Sequence, residues 1–157
     1  MSNYTFVTNW RLDASITDVW EEITHSEQWP EWWKAVKSVV KLAEGDPQGV
    51  GAIHMYTWRG ALPYELSFNM TTTVVDRCRR LEGVANGELC GRGRWTFSGD
   101  DRVAIVRYDW EVETTKTWMR ILTPIARPLF EWNHDVVMRW GFDGLVPRLR
   151  SRRKVHG

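Results

Sequence analysis

The fold is decided by a stretch near the middle of the chain, residues 64–74, which has the sequence YELSFNMTTTV. Mostly apolar side chains at even positions alternate there with polar side chains at odd positions. A period of two residues predicts a β-strand with one buried face and one solvated face. The same period extends on both sides, from Val36 to Lys116.

This region divides into six predicted strands, and an opening strand at about 5–12 precedes them. Turn-forming sequences separate them, the clearest being Asn86-Gly87, a strong hairpin signal. In the first of the six, alternation places Val36, Val40 and Leu42 on one face. Short connections between consecutive strands predict an antiparallel meander. The six strands are expected at about 36–42, 52–59, 64–74, 80–86, 88–98 and 102–115.

Helical periodicity appears before and after the meander. Ser15 followed by Asp18 resembles a capping box, and it precedes an amphipathic helix at about 16–24. A second short helix follows, with a break or kink near Pro30. After Lys116 we expect a helical piece that Pro124 stops, and then a longer helix with a kink or an early stop between residues 141 and 147, where Gly141, Gly144 and Pro147 weaken it. One stripe of this last helix is predicted to face the sheet: Phe130, His134, Val137, Met138, Gly141 and Leu145.

The order of elements predicts an α+β fold, in which a curved antiparallel sheet of about seven strands wraps around a long C-terminal helix. A meander of this length twists and curls, and its apolar face must be covered. A single helix, about 10 Å wide, does not fill the concave side of such a sheet. The gap requires either bulky side chains or a pocket between them. The 11 Trp among 157 residues fit both interpretations.

Composition excludes several functional classes. A net charge of +1 gives no overall field that would recruit nucleic acid, and no apolar run is long enough for a membrane span. The two cysteines and four histidines show no metal-ligand spacing. We therefore expect one cytoplasmic domain at residues 1–147, with no metal and no cofactor. Residues 148–157 form a predicted basic tail, for which transient membrane contact is a possible role, and the oligomeric state stays open.

Seven short motifs are spread along the chain. They are VW at 19–20, WPEWW at 29–33, GALPY at 60–64, GELCGRGRW at 87–95, YDW at 108–110, WMR at 118–120 and WNHDVVM at 132–138. Together they resemble the polyketide cyclase/dehydrase-like branch of the SRPBCC superfamily, which is START-related and has the helix-grip fold, and the resemblance covers nearly the whole chain. It implies a deep hydrophobic cavity between the sheet and the C-terminal helix. Members of the superfamily bind lipids, polyketides, quinones or sterols, and only some of them are enzymes.

Side chains that face this cavity are the candidate ligand-binding residues. Asn133 points about 100° away from His134 along the helix, so we do not expect both to line the pocket centrally. Gly91 and Gly93 leave gaps that either admit the C-terminal helix or make room for a ligand. The predicted ligand-binding residues are Tyr56, Trp58, Tyr64, Leu66, Phe68, Met70, Trp95, Phe97, Tyr108, Trp110, Phe130, His134 and Met138.

Two functions remain open at the level of sequence. The first is binding or transport of a hydrophobic small molecule, such as a lipid, a polyketide, or an aromatic or quinone-like compound. The alternative is a cyclase or dehydratase in which His134 acts as the acid/base and Tyr64 or Tyr108 holds a carbonyl or enolate oxygen. A histidine on an apolar stripe can equally be a core residue without a chemical role.

Overall fold

Seven strands and three helical segments make up residues 3–156, the part of the chain that this computed structural model describes, with side chains described through residue 153. The order of elements agrees with the α+β helix-grip prediction. The elements are β1 (Asn3–Leu12), α1 (Ile16–Thr24), a 3-10 helix (Ser26–Glu31), β2 (Val36–Ala43), β3 (Ile53–Trp58), β4 (Leu66–Asp76), β5 (Arg80–Gly87), β6 (Leu89–Gly99), β7 (Ala104–Thr114) and α2 (Thr117–His156).

All seven strands form one antiparallel sheet in the order β1-β7-β6-β5-β4-β3-β2. The meander from β2 to β7 is therefore confirmed, and the opening strand β1 adds to it at the β7 edge, with Thr8 opposite Tyr108. Side chains of α2, among them Phe130, Met138 and Leu145, join the same buried cluster as the inward-facing strand residues. The sheet and α2 thus enclose the core between them.

Both helical segments after β1 match their predictions. The Ser15 hydroxyl accepts a hydrogen bond from the Asp18 backbone N–H at 3.1 Å and so caps α1. Pro30 lies inside the 3-10 helix, and Trp29 is buried there. Trp33, just after this segment, donates its indole N–H to the Val137 carbonyl of α2 at 2.8 Å. This bond ties the short helices to the C-terminal helix.

The C-terminal helix is one continuous element, so the predicted interruption at Pro124 is wrong. Met119 and Thr123 before the proline and Phe130 after it are all buried, so both parts of the helix pack on the same protein interior. This packing outweighs the hydrogen bonds that the prolines remove. Tertiary contacts, rather than local propensity, determine where this helix begins.

Of the kink and the early stop predicted near the glycines of α2, the early stop is wrong, because the helix continues to His156. A Cβ on Gly141 would lie 2.5 Å from the Trp33 ring, and a Cβ on Gly144 would overlap the Trp32 carbonyl oxygen. These two glycines allow the helix to approach the Trp32–Trp33 segment closely. The helix also passes through residue 147, where we expected the domain to give way to a basic tail.

Alternation in β2 fails because of a β-bulge. The register with β3 shifts between Val36 and Ser38, which places Val39 opposite the buried Tyr56. Val39 therefore packs against the core, while Val40 and Leu42 are exposed. The prediction that Val40 and Leu42 share the buried face of Val36 is wrong, since a single-residue shift reverses every later side chain of the strand.

Ion pairs hold the end of α2 against α1. Arg148 Nε lies 2.8 Å from Glu22 Oε2, and Arg152 Nη1 lies 3.1 Å from Glu22 Oε1. Glu22 is buried, and Arg152 also pairs with Glu21 and Asp18. These two arginines of the predicted basic tail are thus engaged with the domain.

Candidate ligand-binding site

A cavity of about 120 Å³ lies between the concave face of the sheet and α2. An engineered cavity of roughly 150 Å³ binds benzene in another protein, so this space holds about one aromatic ring without rearrangement. Its walls are almost entirely aromatic and aliphatic. They are formed by Tyr4, Phe6, Trp29, Trp33, Trp58, Gly60, Tyr64, Leu66, Phe68, Leu89, Trp95, Tyr108, Trp110, Val112, Thr114, Met119, Phe130, Asn133, His134, Val137 and Met138.

Most of the residues predicted to bind a ligand line this cavity. They come from separate strands and from α2, and the curvature of the sheet brings them together. Whether they touch a ligand stays a prediction. The predicted residues found in its walls are Trp58, Tyr64, Leu66, Phe68, Trp95, Tyr108, Trp110, Phe130, His134 and Met138.

Three predicted residues lie elsewhere. Tyr56 and Met70 line a second cavity of about 90 Å³, beneath α1 and the 3-10 helix. The Tyr56 hydroxyl donates to Ser26 Oγ at 2.8 Å, and burial raises its pKa to about 12. Phe97 lines neither cavity, because its ring packs against Trp20 of α1 at 5.0 Å between centroids. Alternation identifies the inner face of a strand, but not which part of that face a helix covers.

One layer of aromatic rings separates the two cavities. Residues common to both linings are Trp29, Trp58, Phe68, Trp95 and Tyr108. Trp95 and Tyr108 stack at 4.1 Å between centroids, and Trp29 contacts Trp58 edge-on at 6.0 Å. A ligand larger than one ring has to displace members of this aromatic wall to occupy both spaces.

Gly91 and Gly93 of β6 pack against residues of β7, including members of this aromatic wall, and not against α2. A Cβ on Gly93 would lie 2.8 Å from the Tyr108 hydroxyl and 3.0 Å from the Trp110 ring. A Cβ on Gly91 would overlap the Glu111 backbone carbonyl of the paired strand. Atoms of the neighbouring strand therefore occupy the space beside Gly91, whereas Gly93 lines the second cavity.

His134 places an uncharged imidazole in the cavity wall. Its ring stacks on Phe6 at 3.8 Å between centroids with an angle of 11° between the planes. Burial lowers the pKa of His134 from 6.5 to about 4, so the imidazole is neutral near pH 7. Its Nδ1 atom is buried and has no hydrogen-bond partner among the described residues. A neutral ring nitrogen of this kind can donate or accept a hydrogen bond, depending on the tautomer.

A second residue of the same cavity wall carries an unpaired nitrogen. Trp58 Nε1 on β3 is buried and, within residues 3–153, has no hydrogen-bond acceptor. An indole N–H can only donate. Buried polar groups are nearly always paired in folded proteins, so an unpaired group in the wall of a cavity points to a missing partner there. Trp58 and His134 are the two such groups in this wall.

Asn133 lines the cavity as His134 does, at the side where the loop at residues 60–64 contacts α2. Its Oδ1 accepts from the Leu62 backbone N–H at 3.0 Å, and its Nδ2 donates to the Tyr64 hydroxyl oxygen at 3.0 Å. The loop at residues 60–64 folds against this face of α2, and a Cβ on Gly60 would lie 2.5 Å from Asn133 Oδ1. The angle between Asn133 and His134 around the helix does not predict this contact, because the contact comes from a loop that closes the cavity from the side.

The two tyrosine candidates keep their protons. Burial raises the pKa of Tyr64, against the lowering effect of its bond to Asn133. Burial also raises the pKa of Tyr108 far above its ordinary value. Because the Tyr64 oxygen accepts from Asn133, its own O–H remains able to donate to a ligand. Both groups are therefore hydrogen-bond donors rather than bases.

Sequence reasoning missed part of the wall contributed by β1. Tyr4 and Phe6 lie at the β7 edge of the sheet, and the Tyr4 hydroxyl is 2.9 Å from Thr123 Oγ1 of α2. The alternation of β1 already placed Phe6 on an apolar face. The missing information was the pairing of β1 with β7, which brings this face to α2. Within the described residues, no group of three or more His, Cys, Asp or Glu side chains is arranged to hold a metal ion, and no helix is long and apolar enough to cross a membrane.

No protein-family model and no curated protein sequence matches this chain. Solved structures do match it along nearly its full length. The aromatase/cyclase Zhui from Streptomyces sp. R1128 has a TM-score of 0.80 at 13% identity, covering 99% of this chain and 98% of its own. A START superfamily protein from Mycobacterium smegmatis has a TM-score of 0.74 at 13% identity, with coverages of 94% and 97%. Norcoclaurine synthase from Thalictrum has a TM-score of 0.55 at 16% identity, with coverages of 90% and 95%.

These likenesses confirm the class of fold that the sequence motifs indicated. The chain has the START-like helix-grip fold found in polyketide cyclase-like proteins, with a hydrophobic cavity between the sheet and the C-terminal helix. Its neighbours include both aromatase/cyclases and START superfamily proteins. At these identities the similarity defines the fold, and the function has to be argued from the site.

Proposed function

We propose that this protein binds a flat, apolar small molecule whose ring occupies the cavity and whose oxygen atom lies between Trp58 and His134. The observation that carries this proposal is that two residues of a mostly apolar wall, Trp58 and His134, each have a buried, unpaired nitrogen. An oxygen that accepts from the Trp58 indole N–H would remove one unpaired donor, and a hydroxyl could also satisfy His134 Nδ1.

The size of the cavity sets the expected affinity. Burying one aromatic ring removes roughly 150 Å² of apolar surface from water, which contributes about 4 kcal/mol. That free energy corresponds to a dissociation constant of about 1 mM. A physiological ligand that binds more tightly has to be larger than one ring. It would extend through the aromatic wall into the second cavity, where Tyr56 and Ser26 offer further polar contacts.

The proposed role is that of a binding or carrier protein. The neutral state of His134 supports binding over proton transfer, because a group with a pKa of about 4 is protonated in only about a thousandth of molecules at pH 7. Such an imidazole is well suited to hold an oxygen atom. It is poorly suited to act as a general acid unless the ligand supplies negative charge.

A second candidate is a cyclase or dehydratase, as the aromatase/cyclase neighbours suggest. The observation that favours it is the same unpaired Nδ1 of His134, on a cavity that also holds the hydroxyls of Tyr64 and Tyr108. In this reaction class, neutral His134 would accept a proton next to a carbonyl group. A tyrosine O–H would donate to the enolate oxygen that forms.

Native mass spectrometry of the gently purified protein tests the binding proposal. The wild type should carry an apolar compound that organic solvent extracts. Val112→Phe, which fills the cavity, should lose that compound, whereas Leu42→Phe on the exposed side of β2 should retain it. Wild type that is empty in repeated preparations, or equal occupancy in Val112→Phe, would overturn the proposal.

A turnover assay separates the two candidates. With a reactive poly-β-ketone as substrate, an enzyme should lose turnover in His134→Ala while substrate binding is largely kept. If the wild type shows no turnover, the enzyme hypothesis is refuted and the carrier hypothesis remains. Parallel loss of binding and stability in His134→Ala would instead show that His134 is a core residue.

A further inference from the structure

The solvent-facing side of the first half of α2 is apolar. Ile125 is 84% exposed and Ile121 is 69% exposed, which is unusual for large aliphatic side chains. Within residues 117–132, the exposed charged side chains are Arg120 and Glu131, and Arg127 is partly buried. We call this surface the α2 stripe, formed by Trp118, Ile121, Leu122, Ile125, Leu129 and Trp132.

The spacing of the α2 stripe is that of a helix-packing seam. Residues 118, 122, 125, 129 and 132 follow one another at intervals of four, three, four and three. This repeat keeps the side chains on one narrow line, which is the pattern used when two helices pack at a small angle. A helix that lies on a membrane usually presents a broader apolar face, flanked by several cationic residues.

The order of residue types along this seam is the same in both directions. It reads Trp, Leu, Ile, Leu, Trp, with Ile125 at the centre. A twofold axis near Ile125 would therefore place Trp118 against Trp132 of a second copy, and Leu122 against Leu129. Interfaces of twofold symmetry require a surface that complements itself in this way.

The area of the stripe approaches what a stable interface requires. From their exposed fractions, its six side chains present roughly 600 Å² to solvent, and a standard interface buries roughly 800 Å² on each partner. Pro124 and Pro128, which are also exposed on this half of the helix, add to the apolar surface. From the seam, the symmetry and the area, we propose that the protein forms a homodimer in which the α2 stripes of two copies pack antiparallel.

Sedimentation velocity over a range of protein concentrations tests this dimer. The wild type should dimerise, and Ile125→Asp should weaken the dimer at least about tenfold, because it would bury a carboxylate at the axis. The matched control is Leu42→Asp on β2, where a similarly exposed leucine lies outside the stripe. Circular dichroism and thermal unfolding establish that each variant is folded.

Several results would overturn the dimer proposal. These are a wild type that stays monomeric at every concentration, a dimer that Ile125→Asp leaves intact, or a dimer that Leu42→Asp weakens as much as Ile125→Asp does. If the stripe instead binds a membrane, monomeric wild type would sediment with vesicles of phosphatidylcholine and phosphatidylserine, and Ile125→Asp would not. This test is independent of ligand binding in the cavity.

Discussion

The neutral, buried imidazole of His134 should make the stability of this protein depend on pH in a way that one substitution removes. Burial lowers the pKa of His134 to about 4 in the folded state, against 6.5 for a solvated imidazole. Between these values the unfolded chain binds a proton that the folded chain does not. The free energy of unfolding therefore falls as the pH falls through this window.

The two pKa values set the size of the effect. Between pH 7 and pH 5, His134 should lower the free energy of unfolding by about 2 kcal/mol, and over the whole window by about 3 kcal/mol. Carboxylates also titrate near the acid end of this range, so the informative quantity is the difference between the wild type and a variant. His134→Phe is suitable because it keeps a flat ring to stack on Phe6.

Urea unfolding at several pH values, followed by Trp fluorescence, measures this difference. The wild type should lose about 2 kcal/mol more than His134→Phe between pH 7 and pH 5. His25→Asn, at an exposed histidine on the surface, is the control and should behave as the wild type does. Equal pH dependence in the wild type and His134→Phe would refute the conclusion that the imidazole is held neutral by burial.

Two further predictions concern how α2 is held in place. Gly144→Ala should destabilise the protein by about 2 kcal/mol or more in thermal unfolding, because its Cβ would overlap the Trp32 carbonyl; an unchanged midpoint would mean that α2 is free to move away. The Arg148→Met, Arg152→Met double variant should cost about 3 kcal/mol in urea unfolding, because it leaves the buried carboxylate of Glu22 unpaired. Adding Glu22→Gln should recover part of that loss, and no recovery would contradict the ion-pair explanation.

Local patterns in the sequence were enough to identify the sheet. Alternation located the meander, and the Ser15 cap marked the start of α1. A short connection joins β5 and β6 as predicted, but Asn86 and Gly87 are the last residues of β5, and the turn comes after them. Each of these features depends on neighbouring residues alone. The resemblance of the motifs then supplied the correct class of fold.

Features that depend on contacts between distant residues could not be predicted in this way. Pro124 did not end a helix, since the residues on both sides of it are packed in the interior. The bulge in β2 reversed Val40 and Leu42, because register is set by pairing with β3. The residues next to Pro124 and next to the bulge in the sequence do not indicate either effect.

The sequence predicted most residues of the cavity wall, but not all of them. Most of the named aromatic residues face the cavity, because inward-facing strand positions are few and bulky. Phe97 was misplaced because α1 covers that end of β6. The role of Asn133 depends on the loop at residues 60–64, whose position against α2 is a tertiary contact.

The most direct test of the proposed site is the indole N–H resonance of Trp58 in a ¹⁵N–¹H NMR spectrum, assigned with Trp58→Phe. Acetophenone is a suitable probe, because one ring with one carbonyl oxygen matches the volume of the cavity and its unpaired donor. The proposal predicts that the Trp58 proton shifts downfield and saturates with a dissociation constant of about 1 mM, while the resonance of Trp140, outside the cavity, stays in place. A Trp58 resonance that does not move at roughly ten times that concentration would contradict it.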